Sequence, residues 1–250
     1  MKNKLCLAVK HSIAFTLAET LIVIGVIGIV SALTLPNLNS STGEKEKAAK
    51  VQKIYQNISD AFGRAEAVYG TFTDWFVNDG NNNDIKNNRM GERVTEFMKI
   101  SKNCKQEQNK GCFTGSNVLN IRGSVSSSSY DSDTSAYKIV TSDGTSMNFT
   151  TDGTDKGTIT VDIDGPTKGS NTLGKDIFNF VWYGDKQELG FTPTCQNVDF
   201  AGLVSNLYND GYCAAEWIIR YDNADYLQFT NTSGKCKNGN TVSEANPRCK

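Results

Sequence analysis

The stretch SIAFTLAETLIVIGVIGIVSALTLP, residues Ser12–Pro36, decides how the rest of the chain is read. Between Phe15 and Leu35 its only charge is Glu19. About 20 apolar residues cross a bilayer core as a helix, so the run predicts a membrane-crossing helix. A carboxylate inside such a helix costs roughly 2.5–3.5 kcal/mol on insertion scales, so Glu19 calls for a partner. Lys2, Lys4 and Lys10 precede the run, and short basic flanks stay cytoplasmic, which predicts an N-terminus inside and the rest of the chain outside. A secretory signal has a shorter apolar core, about 7–15 residues, followed by a small-residue cut site. Here the run is longer, and the small residue, Ala14, stands before it.

That inverted order, Ala14 followed by FTLAE (Phe15–Glu19), resembles the prepilin-type processing site of type IV pilins and type II secretion pseudopilins. Gly28 and Pro36 also fall where that family often carries a glycine and a proline. The resemblance implies a cut between Ala14 and Phe15 by a prepilin peptidase, with methylation of the new amine. The family's residue before the cut is usually glycine, and Ala14 departs from it. After such a cut Phe15 carries an ammonium, and Glu19 lies one turn on, near the positive end of the helix dipole. In a bundle of parallel helices Glu19 meets the Phe15 amine of a neighbour and fixes the axial register. The blander account of the same run is a plain signal anchor with a tolerated glutamate.

The resemblance implies an α+β, pilin-like fold. A long N-terminal helix, half membrane-spanning and half amphipathic, would pack on a small antiparallel sheet with a disulfide-containing C-terminal region. The expected organisation is a leader at 1–14, a transmembrane or filament-core helix at 15–36, an amphipathic continuation at 37–70 and an extracytoplasmic domain at 71–250. The implied function is a structural subunit of a bacterial pilus-like or secretion filament. Its partners would be the peptidase, other pilin or pseudopilin subunits, and the cytoplasmic membrane, in which the protein would sit as a single-pass protein before assembly.

Composition narrows the alternatives. At 250 residues the chain suits one membrane segment and one ordinary domain. A net charge of −1 supplies no basic field for nucleic acid, so none is expected as a partner. The single histidine, His11, precedes the expected cut, which removes Ser-His-Asp and Cys-His catalysis and most zinc sites from the remainder. An enzyme is therefore not expected. Two carboxylates able to hydrolyse a glycoside need no sequence spacing, but nothing selects a pair. The competing function is an uncleaved, membrane-anchored extracytoplasmic binding protein or a carboxylate-dependent glycan hydrolase.

Of the seven cysteines, Cys6 lies before the apolar run. Cys104, Cys112, Cys195, Cys213, Cys236 and Cys249 form an even set beyond it, which predicts disulfides in an oxidising compartment. Six cysteines allow 15 connectivities. Sequence proximity favours Cys104 with Cys112, Cys195 with Cys213, and Cys236 with Cys249. The last pair closes a tail whose only apolar residue of any size is Val242, so a bridge is expected there in place of a core.

Past Pro36, Val51, Ile54, Tyr55, Ile58, Ala61, Phe62, Ala65 and Tyr69 recur at helical spacing and predict a stripe that packs on the protein's own sheet. Lys45, Lys47, Lys50 and Lys53 read as a solvated face. Residues 78–90 and 123–135 are polar and turn-rich, hence loops. Alternation then predicts four strands, around 137–141, 147–149, 159–163 and 178–182, with the first two joined by a turn at Ser142–Thr145 whose Asp-Gly suits a positive φ.

The stretch VDIDGPTKGSNTLGKDIF clusters Asp162, Asp164, Asn171 and Asp176. Hard oxygen donors on a loop are what calcium takes, though the spacing is not an EF-hand and a solvated Asp-Gly turn explains the same residues. No other cofactor is implied. Similar stretches occur in pilin-like proteins, as do endings like YCAAEWIIRYDNADYL, residues 212–227.

Overall fold

The computed structural model describes residues 17–249, with the side chains of 19 and 31–42 outside the description. Two compact units divide the chain, residues 1–43 and 44–250. Helix α1, Leu17–Tyr69, begins in the first and ends in the second.

In the first unit the large apolar side chains of Leu17, Leu21, Ile22, Val23, Ile24, Val26, Ile27, Ile29 and Val30 are exposed. Among the described residues no helix is long and apolar enough to cross a membrane. This overturns the expected membrane-spanning half of the helix. It also overturns the single-pass placement in a bacterial cytoplasmic membrane. The fold class is corrected accordingly, from pilin-like to an α+β fold built on a larger antiparallel sheet.

The second unit is organised by the apolar stripe of α1. Val51, Ile54, Ile58, Ala61, Phe62 and Ala65 are all within 1% of full burial, and Tyr55 and Tyr69 pack beside them. After α1, a 3₁₀ turn at Phe72–Phe76 drops Phe72, Trp75 and Phe76 into the same core. Helix α2, Asn83–Thr95, starts where the Asn82 side chain accepts the amides of Asp84 and Ile85, satisfying two of the orphan donors of a helix N-terminus. The strands follow: β1 Ile100–Lys105, β2 Val118–Leu119, β3 Val125–Ser127, β4 Tyr137–Thr141, β5 Ser146–Thr151, β6 Lys156–Asp162, β7 Ile177–Tyr183 and β8 Glu188–Gly190. Three α-helices follow, α3 Pro193–Gln196, α4 Phe200–Asn209 and α5 Ala214–Tyr221, and then a 3₁₀ turn at Asp225–Gln228 leads into the C-terminal tail.

The main sheet has six strands in the order β1-β4-β5-β6-β7-β8, each pair antiparallel. Alternation along β4 to β7 sends Tyr137, Ile139, Met147, Phe149, Ile159, Val161, Phe178, Phe180 and Trp182 to the α1 face. There Phe62 stacks on Trp182 with ring centres 4.8 Å apart, and the Tyr55 hydroxyl donates to the Leu189 carbonyl at 2.6 Å. Four of the strands coincide with the alternating runs. The two edges, β1 and β8, had no such signal: β1 is mostly exposed and polar, and β8 is three residues long.

The opposite face is buried as well. In register across β4 to β7 runs a polar row, Lys138, Asn148, Thr160 and Asn179, every member buried. The excursion between β1 and β4 provides part of the cover, since Val118 and Tyr130 pack on Ile177 and the Cys104–Cys112 pair packs on Val140. Three disulfides are formed, Cys104–Cys112, Cys195–Cys213 and Cys236–Cys249. The C-terminal tail is not core-less: Val242, Cys236 and Cys249 all belong to the main core cluster.

Candidate functional site: the β6–β7 loop and the outer sheet face

The acidic cluster lies where β6 leaves the sheet and β7 re-enters it. Asp162 is the last residue of β6 and fully buried. One of its oxygens accepts the amides of Asp164 and Gly165, each at 3.1 Å; the other, Oδ2, is buried without a partner. Asp176, immediately before β7, accepts the amides of Asn171 at 2.7 Å and Thr172 at 2.6 Å. The two carboxylates thus cap the loop at both ends, satisfying backbone donors that a tight turn cannot pair for itself. Gly165 has φ +80°, and a Cβ there would collide with the Gly144 carbonyl, so the turn needs glycine.

Asn171 faces the other way. Its side-chain amide donates to the carbonyls of Ser116 at 2.8 Å and Asn117 at 2.6 Å, while its own carbonyl accepts from Leu119. The loop therefore fastens the β2 segment to the sheet. Asn171 Oδ1 is left buried and unpartnered.

Burial pushes the Asp162 carboxyl up to about 7, with repulsion from Asp176 and Asp164 adding to it and the two backbone amides opposing. Lys47 on α1 is the nearby countercharge. Desolvation pulls its ammonium down while Asp164 and Asp176 hold it up. A lysine read from sequence as part of a solvated face is thus half-buried beside the acidic loop.

The structure brings Asp162, Asp164, Asn171 and Asp176 onto one loop, and their donors are the hard oxygens calcium takes. Among the described residues, however, no group of three or more His, Cys, Asp or Glu side chains is placed to hold a metal ion. Asp162 Oδ1 and both oxygens of Asp176 serve backbone amides instead. The cluster acts here as a staple for the loop.

Ala14 and Phe15, the expected processing pair, lie outside the described residues. Glu19 falls on the helical backbone of α1, but its side chain is outside the description.

Two further features carried no sequence signal. A cavity of ≈ 430 Å³ lies between α1, the residues after α2 and the β4–β5 turn; Ile54, Phe97, Met98 and Met147 contribute apolar walls, and Lys53 and Asp143 pair at its rim at 3.4 Å. On the outer sheet face, three adjoining depressions meet at Val125 and Tyr212. Their residues come from six separate segments, so no motif announces them.

An α1-backed, six-stranded antiparallel α+β domain with three disulfides is the class this architecture defines. Residues 37–217 match the family of unknown function DUF6613, and the chain belongs to that family. No curated protein and no solved structure matches it.

Proposed function

We propose that the protein is a structural subunit of a pilus- or pseudopilus-like filament, held together by its N-terminal helix. The observation that carries this reading is the apolar surface of residues 17–30. Nine large aliphatic side chains there are each between 54% and 83% exposed in the single chain. Contiguous apolar surface on that scale marks an association site. Parallel copies of the same helix are the occupant: they offer matching apolar surface, and a repeated head-to-tail contact between identical chains builds an open filament. The junction of Ala14 with Phe15–Glu19 supports the same reading, because a cut there would place an ammonium one turn from Glu19 and give the packed helices a register.

Intact mass and N-terminal analysis of the protein purified from its native host test the processing step; a chain starting at methylated Phe15 is expected. Electron microscopy and sedimentation of Glu19→Ala test assembly. The variant is expected to keep its disulfides and its folded second unit while failing to enter filaments. A chain that retains Met1–Ala14, or filaments at the wild-type level in Glu19→Ala, would count against the proposal.

A further inference from the structure

The outer side of the sheet holds a groove that the filament reading does not use. Depressions of ≈ 370, ≈ 400 and ≈ 250 Å³ adjoin there, the first two sharing Val125 and the first and third sharing Tyr212 and Thr194. The groove runs from the β6–β7 loop past Val125 and Tyr212 to Thr158 and Val181, on the outer face of β6 and β7.

Its chemistry is consistent along its length. Hydroxyls and side-chain amides dominate, including Ser126, Thr194, Asn120, Asn206 and Asn171. The charged residues are Asp152, Lys156, Lys168 and Asp210, two of each sign, so no ion is selected. One oxygen on this wall, Asn171 Oδ1, is buried with no partner. Against this neutral lining stand two exposed apolar groups: Tyr212, 37% exposed, and Val125, 64% exposed. Tyr212 is held on a rigid base, because Cys213 is bridged to Cys195 and the Gly211 amide donates to the Asn206 carbonyl. Burial pushes its phenol up, so the hydroxyl stays protonated and can donate.

A peptide strand would add to a free sheet edge. The edges here are β1 and β8, and the groove runs over the face. An aromatic ring beside neutral donors and acceptors suits a pyranose, whose C–H face lies on the ring while its hydroxyls meet amides and hydroxyls. The Val125 methyls suit the methyl of an acetamido group. We propose that this groove binds an uncharged oligosaccharide of the N-acetylhexosamine class, laid across Tyr212 and Val125.

The test uses the full chain and two probes, triacetylchitotriose and maltotriose, followed by saturation-transfer NMR and calorimetry. Saturable binding of chitotriose is expected, with maltotriose weaker by at least about tenfold. Tyr212→Ala is expected to weaken chitotriose at least about tenfold, while Tyr212→Phe keeps the ring and stays within about threefold. Should Tyr212→Ala fail to fold, Val125→Arg, at an exposed site, fills the groove without touching the core and is expected to abolish binding. No chitotriose binding at about 10 mM, equal affinity for both sugars, or unchanged binding in folded Tyr212→Ala or in Val125→Arg would overturn the proposal.

Discussion

Asp162 shows how a single ionisable group can set the pH response of this domain. Its carboxyl is raised from 3.8 to about 7 by burial and by Asp176. The folded state therefore binds the proton more tightly than the unfolded chain, and stability falls as pH rises from about 4 to 7, then levels off. Asp152 works in the opposite direction: burial raises it, but hydrogen bonds from Thr154 and Lys156 win and hold it below its ordinary value. Its contribution is lost only as pH falls below about 4, through its folded-state value. Thermal melts are expected to show a maximum near pH 4 and a decline that levels off above about pH 7. Asp162→Asn keeps the oxygen that caps Asp164 and Gly165 and removes the buried charge, so it should raise stability at pH 8 by about 1–3 kcal/mol and flatten that decline. An unaltered pH profile in this variant would show that Asp162 is not the titrating group. Gly91 poses a steric question of the same size. Any Cβ on this α2 residue would overlap the Tyr137 ring, so Gly91→Ala is expected to destabilise by about 1–3 kcal/mol in urea unfolding despite alanine's better helix propensity.

Among the elements, α1 and the C-terminal tail carry the clearest expectations. Phe62 lies fully buried between the rings of Trp182 and Trp75. Phe62→Ala should cost about 3–5 kcal/mol, measured by denaturant midpoint, because the stacked indoles cannot collapse onto the vacated space without moving the helix off the sheet. The tail behaves differently. The Cys249 amide donates to Asp225 at 2.6 Å, Asn223 donates to the Pro247 carbonyl, and Val242 reaches the core. A disulfide contributes about 2–4 kcal/mol, so Cys249→Ser should open the residues after Cys236 to limited proteolysis while the far-ultraviolet spectrum of the sheet persists. Complete loss of the sheet signal would mean that the tail is part of the folding core and not a docked appendage.

The molecule as a whole combines an exposed apolar helix segment, Leu17 to Val30, with a second unit whose own core is closed. The two features predict separable behaviour. Val23→Asp, at a side chain 55% exposed, should leave the disulfides and the melting transition of the second unit unchanged and raise the concentration needed for self-association by at least about tenfold, read by sedimentation. An equal loss of both would mean that the apolar segment supports folding instead of association.

Local pattern was enough for the α1 stripe from Val51 to Tyr69, for the four alternating strands, and for an even set of cysteines that pairs with sequence neighbours, because each depends on periodicity or on short chain separation. It was enough, too, to place Asp162, Asp164, Asn171 and Asp176 on one loop. It was not enough for the membrane-spanning half expected of the N-terminal helix. Nor could it show that the outer sheet face is buried: Lys138, Asn148, Thr160 and Asn179 alternate in sequence as solvent-facing residues do, and segments distant in sequence, the folded-back 106–135 excursion among them, cover that face. The groove at Tyr212 and Val125 and the half-burial of Lys47 beside Asp164 and Asp176 belong to the same category. Burial, and the displaced proton affinities that follow from it, depend on what distant segments place on top of a residue, and no local spacing encodes that.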